Sequence, residues 1–244
     1  MTWALLAIAT FVASSVQSAT GFGFALIVVP AFLILLNSAD AIQIVIIISV
    51  VMSCAHWPNL RHLTPYNLLK WLIIGGVVGF PFGIAIYKTV DLNAIKMVVA
   101  AFIILISLQN GWNLYRKNNR TDTNPYHKGI LAAVGVVSGI LGAAIAMPGP
   151  ILMLYLSRTS LGKNEIRAAM MAFFVFAYTG ALIMQAIVVG IETDTWITSA
   201  ILVPAALIGV YAGHQISNKI NEKLFKGLVL IILILTGIFM ILNL

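Results

Sequence analysis

Apolar residues fill this chain in long unbroken runs. Charge-free stretches cover 3–39, 41–60, 71–87, 97–115, 129–157, 168–191, 195–218 and 227–244. Most are close to the roughly 20 residues with which a helix crosses about 30 Å of hydrocarbon. In lipid every backbone polar group must be bonded within its own segment, so the pattern predicts an all-α polytopic membrane protein. Two runs do not fit a single crossing. They are 3–39 and 129–157, of 37 and 29 residues, and each holds a cluster of glycine and proline. Each is either one long tilted helix or a hairpin that enters and leaves on the same side.

The loop cations discriminate between these. If all eight runs cross once, lysine and arginine divide almost evenly between the two sides. With 3–39 and 129–157 as hairpins, Arg61, Lys70, Arg116, Lys117, Arg120, Lys128, Arg158, Lys163, Arg167, Lys219, Lys223 and Lys226 share one side. Only Lys88 and Lys96 then lie opposite. That bias favours hairpins, both termini outside and a cytoplasmic linker at 116–127. Met1-Thr2-Trp3 has no basic segment and the apolar run behind it is too long for a cleaved signal, so the N-terminus is expected to be retained.

The two halves of the chain resemble each other around that linker. Gly21 and Pro30 recur 118 residues on as Gly139 and Pro148, while Gly79, Gly83 and Lys96 recur 130 residues on as Gly209, Gly213 and Lys226. The expected plan is a single transmembrane transporter domain with repeat half 1–115, linker 116–127 and repeat half 128–244. Each half is a broken, re-entrant hairpin plus three transmembrane helices. That is an odd number of polarity reversals, so the halves have inverted topology, a common plan of secondary transporters.

Composition narrows the function. Hydrophobic residues make up 61% and charged residues 9% of the chain, with a mean hydropathy of +1.04, more apolar surface than a soluble core of this size buries. The net charge of +7 sits in the connections between runs, which is membrane orientation and not nucleic-acid binding. The single cysteine, Cys54, precludes an intramolecular disulfide or a cysteine metal cluster, and no cofactor is expected. No acid falls inside a run, which disfavours a cation pathway. His56, His62, His127 and His214 lie in connections or near run ends and read as interfacial anchors. Gln43, Ser49, Ser53, Gln109, Asn110, Tyr178, Thr179 and Gln185 either line a path or bond helices together. Trp3, Trp57, Trp71, Trp112 and Trp196 read as an interfacial belt.

The candidate chemistry lies in the two over-long runs, in SATGFGFALIVVP (18–30) and SGILGAAIAMPGP (138–150). Glycine lets backbone approach a ligand, and proline suits the first turn of a helix. A half-helix that begins inside the membrane aims free N–H groups and its positive dipole end at an anion. The candidate residues are Ser18, Thr20, Gly21, Gly23 and Pro30 in the first run and Ser138, Gly139, Gly142, Pro148, Gly149 and Pro150 in the second. Backbone N–H groups near Gly21, Gly23, Gly142 and Gly149 and the hydroxyls of Ser18, Thr20 and Ser138 would bind an oxyanion, and Arg167 would draw it from the cytoplasm. The plain alternative is close helix packing. An inside-negative potential drives anions outward by about 2.3 kcal/mol per charge per 100 mV, so export requires no coupling ion.

GFGFALIVVP, GILGAAIAMPGP, NEIRAAM (164–170) and GGVVGFPFG (75–83) together resemble the TauE/SafE family of sulfite and organosulfonate exporters, over nearly the whole chain. The resemblance implies an inner-membrane secondary transporter that moves sulfite, sulfoacetate and related anions outward. Gly21-Phe22-Gly23-Phe24 and Gly142-Ala143-Ala144 depart from the denser glycine runs of that family, which leaves a larger organic anion open. Two rivals remain, a Na⁺- or H⁺-coupled importer of organic anions and a non-transporting membrane partner subunit. The expected partners are a small anion and the lipid bilayer, with a homodimer left open. An intramembrane enzyme is not expected, because no Ser/Lys, Asp/Asp or His/Glu pair falls within the runs.

Overall fold

The structure, a computed structural model, describes residues 2–115 and 127–217 together with Ile234 and Gly237. Every regular element among them is helical. The order is α1 (Thr2–Thr20), α2 (Phe24–Leu36), α3 (Asp40–Leu60) with a 3-10 turn at Arg61–Leu63, α4 (Tyr66–Thr89), α5 (Leu92–Tyr115), α6 (Lys128–Ile145), α7 (Gly149–Leu156), α8 (Lys163–Val188) and α9 (Thr193–Ser217). Seven of these helices, α1, α3, α4, α5, α6, α8 and α9, are long and apolar enough to cross a membrane. The run 227–244 and the linker 116–127 lie almost entirely outside the described residues.

Both over-long runs are broken, so neither is one tilted helix. The first divides into helices of 19 and 13 residues, the second into helices of 18 and 8. At 1.5 Å per residue α2 and α7 are about 20 and 12 Å long, too short to cross the hydrocarbon. Each packs back on the helix before it.

The two breaks are made differently. Gly21 and Gly23 sit at φ +90° and +116°, a region closed to most side chains, and the Gly21 N–H donates to Gln17 O at 2.7 Å to close α1. In the second, Ala146 takes the left-handed conformation at φ 58°. Ala146 N–H donates to Gly142 O, the single bond of an αL helix ending, and Met147 N–H donates to Leu141 O, both at 3.1 Å. Pro148 then caps α7, with Pro150 in its first turn.

This geometry corrects the spacing read from the sequence. Pro30 does not open a half-helix but lies in the middle of α2, where its missing N–H leaves the Leu26 carbonyl without its helical bond. Gly139 lies within α6 and not at the break. The first break is fixed by glycine conformations upstream of Pro30, while in the second run the prolines follow the break directly.

The most extensive helix pairs are α4 with α6 and α1 with α9. Glycines set both. A Cβ on Gly79 would strike Val136 O and one on Gly83 would strike Ile140 O, both on α6. A Cβ on Gly209 would strike Phe11 O and one on Gly213 would strike Ser15 O, both on α1. Gly79 and Gly83 thus seat α4 on the long helix of the second broken run, and Gly209 and Gly213 seat α9 on that of the first. Small residues let backbones touch where lipid gives no hydrophobic drive for helices to associate.

Lys96, read from the sequence as a loop cation, lies one turn inside α5 and is only 6% exposed. Its Nζ donates to Asn37 Oδ1 at 2.6 Å, and Asn37 sits at φ 49° just past α2. Asn37→Ala puts a Cβ-bearing residue without a polar side chain in the left-handed region and strips the buried ammonium of its acceptor. The expected loss is about 2 kcal/mol or more, read as a lower melting temperature in detergent. Adding Lys96→Met recovers part of it.

Candidate functional site

The two breaks meet. One cavity is lined by Gln17, Phe22, Gly23, Ala25 and Leu26 from the first hairpin, by Met147, Gly149 and Pro150 from the second, and by Phe174 and Tyr178 of α8. Its open space is about 10 Å³, close to what one water molecule needs. The first turns of α2 and α7 both border it, so positive helix ends approach it from two elements.

Helix α8 holds the spent ends of both long hairpin helices. Arg167 Nη2 donates to Ser18 O at 2.8 Å near the end of α1. Tyr178 Oη donates to Ala146 O at 3.2 Å and Gln185 Nε2 to Ala143 O at 3.0 Å. Carbonyls at a helix C-terminus lack partners of their own, and these bonds supply them. One helix therefore fixes the geometry of both breaks.

Arg167 is the fifth residue of α8 and partly buried, with its stem lying against Gly21. A Cβ on Gly21 would come within 2.8 Å of Arg167 Cγ. Arg167 Nε is buried with no partner among the described residues. The cation thus stands beside the first break, deeper than the mouth position expected from sequence.

Gln17 carries another unspent donor. It is 2% exposed, its Oε1 accepts from Phe24 N–H at 3.3 Å, and its Nε2 is buried without a partner among the described residues. That amide bond fixes which way the side chain points, with the NH₂ group left over. An orphaned buried donor is costly unless something outside the protein accepts from it.

The sequence candidates divide by where the structure puts them. Gly23, Gly149 and Pro150 line the cavity. Ala25 and Leu26 add first-turn N–H groups that have no partner within α2. The N–H of Gly21 is spent on Gln17 O, and Gly142 lies within α6 with its absent Cβ facing Pro148. Pro148 and Pro150 have no N–H, so α7 offers fewer donors than α2. Ser18 Oγ donates to Val210 O at 2.7 Å, and the Thr20 hydroxyl is bonded to Val16 O and Phe22 O. Ser138 Oγ is buried and unpartnered, but Ser138, Gly139 and Pro30 are not among the cavity-lining residues.

Sequence reasoning passed over Gln17 as a site residue, and placed Tyr178 only among the polar residues that either line a path or bond helices together. The signal for Gln17 was an amide in an apolar run four residues before a glycine; that for Tyr178 was a polar group inside a run, and only the fold brings it to Ala146. Among the described residues no group of three His, Cys, Asp or Glu could hold a metal ion.

A family model described as Sulfite exporter TauE/SafE matches residues 6–240, nearly the entire chain. No curated protein and no solved structure gives a significant match.

Proposed function

The chain belongs to the sulfite exporter TauE/SafE family, and from that premise we propose that it exports small oxyanions, sulfite or organosulfonates, through the cavity between its two broken hairpins. The observation that carries this reading is the unpartnered Gln17 Nε2 in a cavity bordered by both breaks. A group that can only donate, two helix N-termini and a nearby guanidinium all favour a negatively charged acceptor. No carboxylate lines the cavity among the described residues, so a cation finds no fixed counter-charge from them there.

The space of about 10 Å³ is smaller than an oxyanion requires, so this is an occluded form. Binding then requires the short helices α2 and α7 to separate. The matched glycine contacts of α4 on α6 and of α9 on α1 support two related halves that move against each other. In this scheme Arg167 concentrates the anion next to the first break, Gln17 Nε2 and the first turn of α2 receive it, and the membrane potential drives it out.

Gln17→Glu tests the site with the smallest change of shape. The carboxylate still accepts from Phe24 N–H but presents a negative oxygen where the donor stood. Sulfite flux from proteoliposomes is expected to fall by about 100-fold, the loss of a bond to a charged group with added repulsion. Wild-type flux in the folded variant would remove the cavity from the path.

A further inference from the structure

Helix α3 carries Ser49, Ser53 and His56 at spacings of four and three, which places them on one face. They are 0%, 0% and 9% exposed. Among the described residues Ser53 Oγ and His56 Nε2 are buried without a partner, and so is the neighbouring Trp57 Nε1, while Ser49 Oγ is buried with only the Tyr178 hydroxyl within weak hydrogen-bond reach. Several hydroxyls in the other helices behave differently, although Ser107 Oγ of α5 and Ser138 Oγ of α6 are unpartnered as well. Thr10, Ser15, Thr89 and Ser199 each bond the carbonyl four residues back, which is the usual resting place of a hydroxyl within a helix. Ser49 and Ser53 forgo that bond.

The stripe runs between two charged or polar landmarks. Ser49 Oγ lies within weak hydrogen-bond reach of the hydroxyl of Tyr178, which lines the cavity. His56, at the other end, lies within electrostatic reach of Arg167 and His214, and α3 packs on α8 and α9, the helices that carry them. The acids of these helices are elsewhere. Asp40 and Asp194 occupy the first turns of α3 and α9, and Glu165 accepts from Gly162 N–H at 2.7 Å. Trp57 Nε1 and Arg167 Nε can only donate, and a serine hydroxyl can turn to donate. A row of donors, all but Ser49 orphaned, with a guanidinium beside it and no carboxylate among the described residues, suits hydrated anions and not cations.

Resting on the transport reading above, we infer that the Ser49–Ser53–His56 face of α3, with Trp57 and Arg167, is a second anion-binding stretch and forms the access path between the 3-10 turn end of α3 and the cavity. An oxyanion there trades hydration for hydroxyl, imidazole and indole donors before it reaches Gln17.

Single cysteines at these positions test the path without relying on flux. In a Cys54→Ala background, Ser53→Cys and, separately, Ser49→Cys are treated with small hydrophilic thiosulfonates of either charge. The anionic reagent is expected to react at least about ten-fold faster than the cationic one, because the local field concentrates anions, and sulfoacetate is expected to slow it. No labelling of either cysteine in folded protein, or equal rates for both reagents, would overturn the proposal. Ser53→Ala supplies the second arm. An unpartnered buried hydroxyl contributes no bond, so the melting temperature holds, while sulfite flux drops by about ten-fold, the loss of one bond to a charged group. Undiminished flux in Ser53→Ala overturns the path alone, whereas no sulfite flux in the wild-type protein overturns the reading beneath it.

Discussion

Gly79→Leu yields no stable folded protein, as read by size-exclusion profile and melting of the detergent-purified chain. The Cβ alone would occupy the position of Val136 O on α6, and neighbouring positions leave no room to retreat, because Gly75 and Gly83 on α4 meet α6 backbone in the same way. Reciprocally, Gly135 and Gly139 of α6 meet Leu72 O and Gly76 O of α4. Separating the helices to admit a side chain forfeits this contact along its length, and lipid offers no hydrophobic return for closing it again. Overpacking one site costs typically about 1–3 kcal/mol; prying apart the largest interface exceeds that and approaches the whole stability of about 5–15 kcal/mol. Gly209→Leu on α9 behaves alike against α1. Gly129 is the internal control. It lies in the first turn of α6 and a Cβ there meets nothing within 4 Å, so Gly129→Ala leaves melting unchanged or raises it, by up to about 1 kcal/mol from helix propensity. Equal behaviour of Gly79→Leu and Gly129→Ala would refute the close-packing account.

Arg167→Gln has the opposite profile, a folded protein with flux reduced by about two orders of magnitude. Arg167 is a partly buried cation with no carboxylate paired to it among the described residues, so taking it away orphans no counter-charge among them. Gln can still donate toward Ser18 O, which Arg167 holds at 2.8 Å, so the first break keeps its shape. What disappears is the positive charge beside Gly21 and the buried Nε–H that nothing in the described protein accepts from. A bond to a charged group is worth about 1.5–3 kcal/mol, which converts to roughly 10- to 150-fold in rate or affinity. Arg167→Lys falls between. It keeps the charge, but a single ammonium cannot hold Ser18 O and present a second, differently directed N–H. Tracer efflux of sulfite from proteoliposomes, with melting temperature measured on the same preparations, decides the matter. Arg167→Gln with full flux, or with Tm lowered as far as Gly79→Leu, would make this residue structural.

These two substitutions also change what a glycine test means. Gly139→Leu is no probe of an anion site, because its absent Cβ faces Gly76 backbone, and a failure there reports the α4–α6 interface. Gly21→Leu is confounded as well, since φ +90° and the Arg167 stem both exclude a side chain. Gln17 and Arg167 carry the question with less collateral damage.

What the sequence determined by itself is what hydropathy and local backbone chemistry report. A residue's cost in lipid depends on that residue and its helix, so the spans, the all-helical class and the family could be read without any contact. The interruptions near 21–23 and 146–148 were legible for the same reason, since glycine and proline act on their own backbone. What only the tertiary structure decided depends on partners far along the chain. Gly79 and Gly139 pack while Gly23 and Gly149 line a cavity, though all four are the same residue type in apolar surroundings. Lys96 is buried against Asn37, 59 residues away, and Arg167 reaches Ser18 across 149. The orphaned donors of Gln17, Ser53 and Trp57 become visible only when every other partner has been placed. Hydrogen-bond satisfaction is a property of the assembled whole, and no window of sequence contains it.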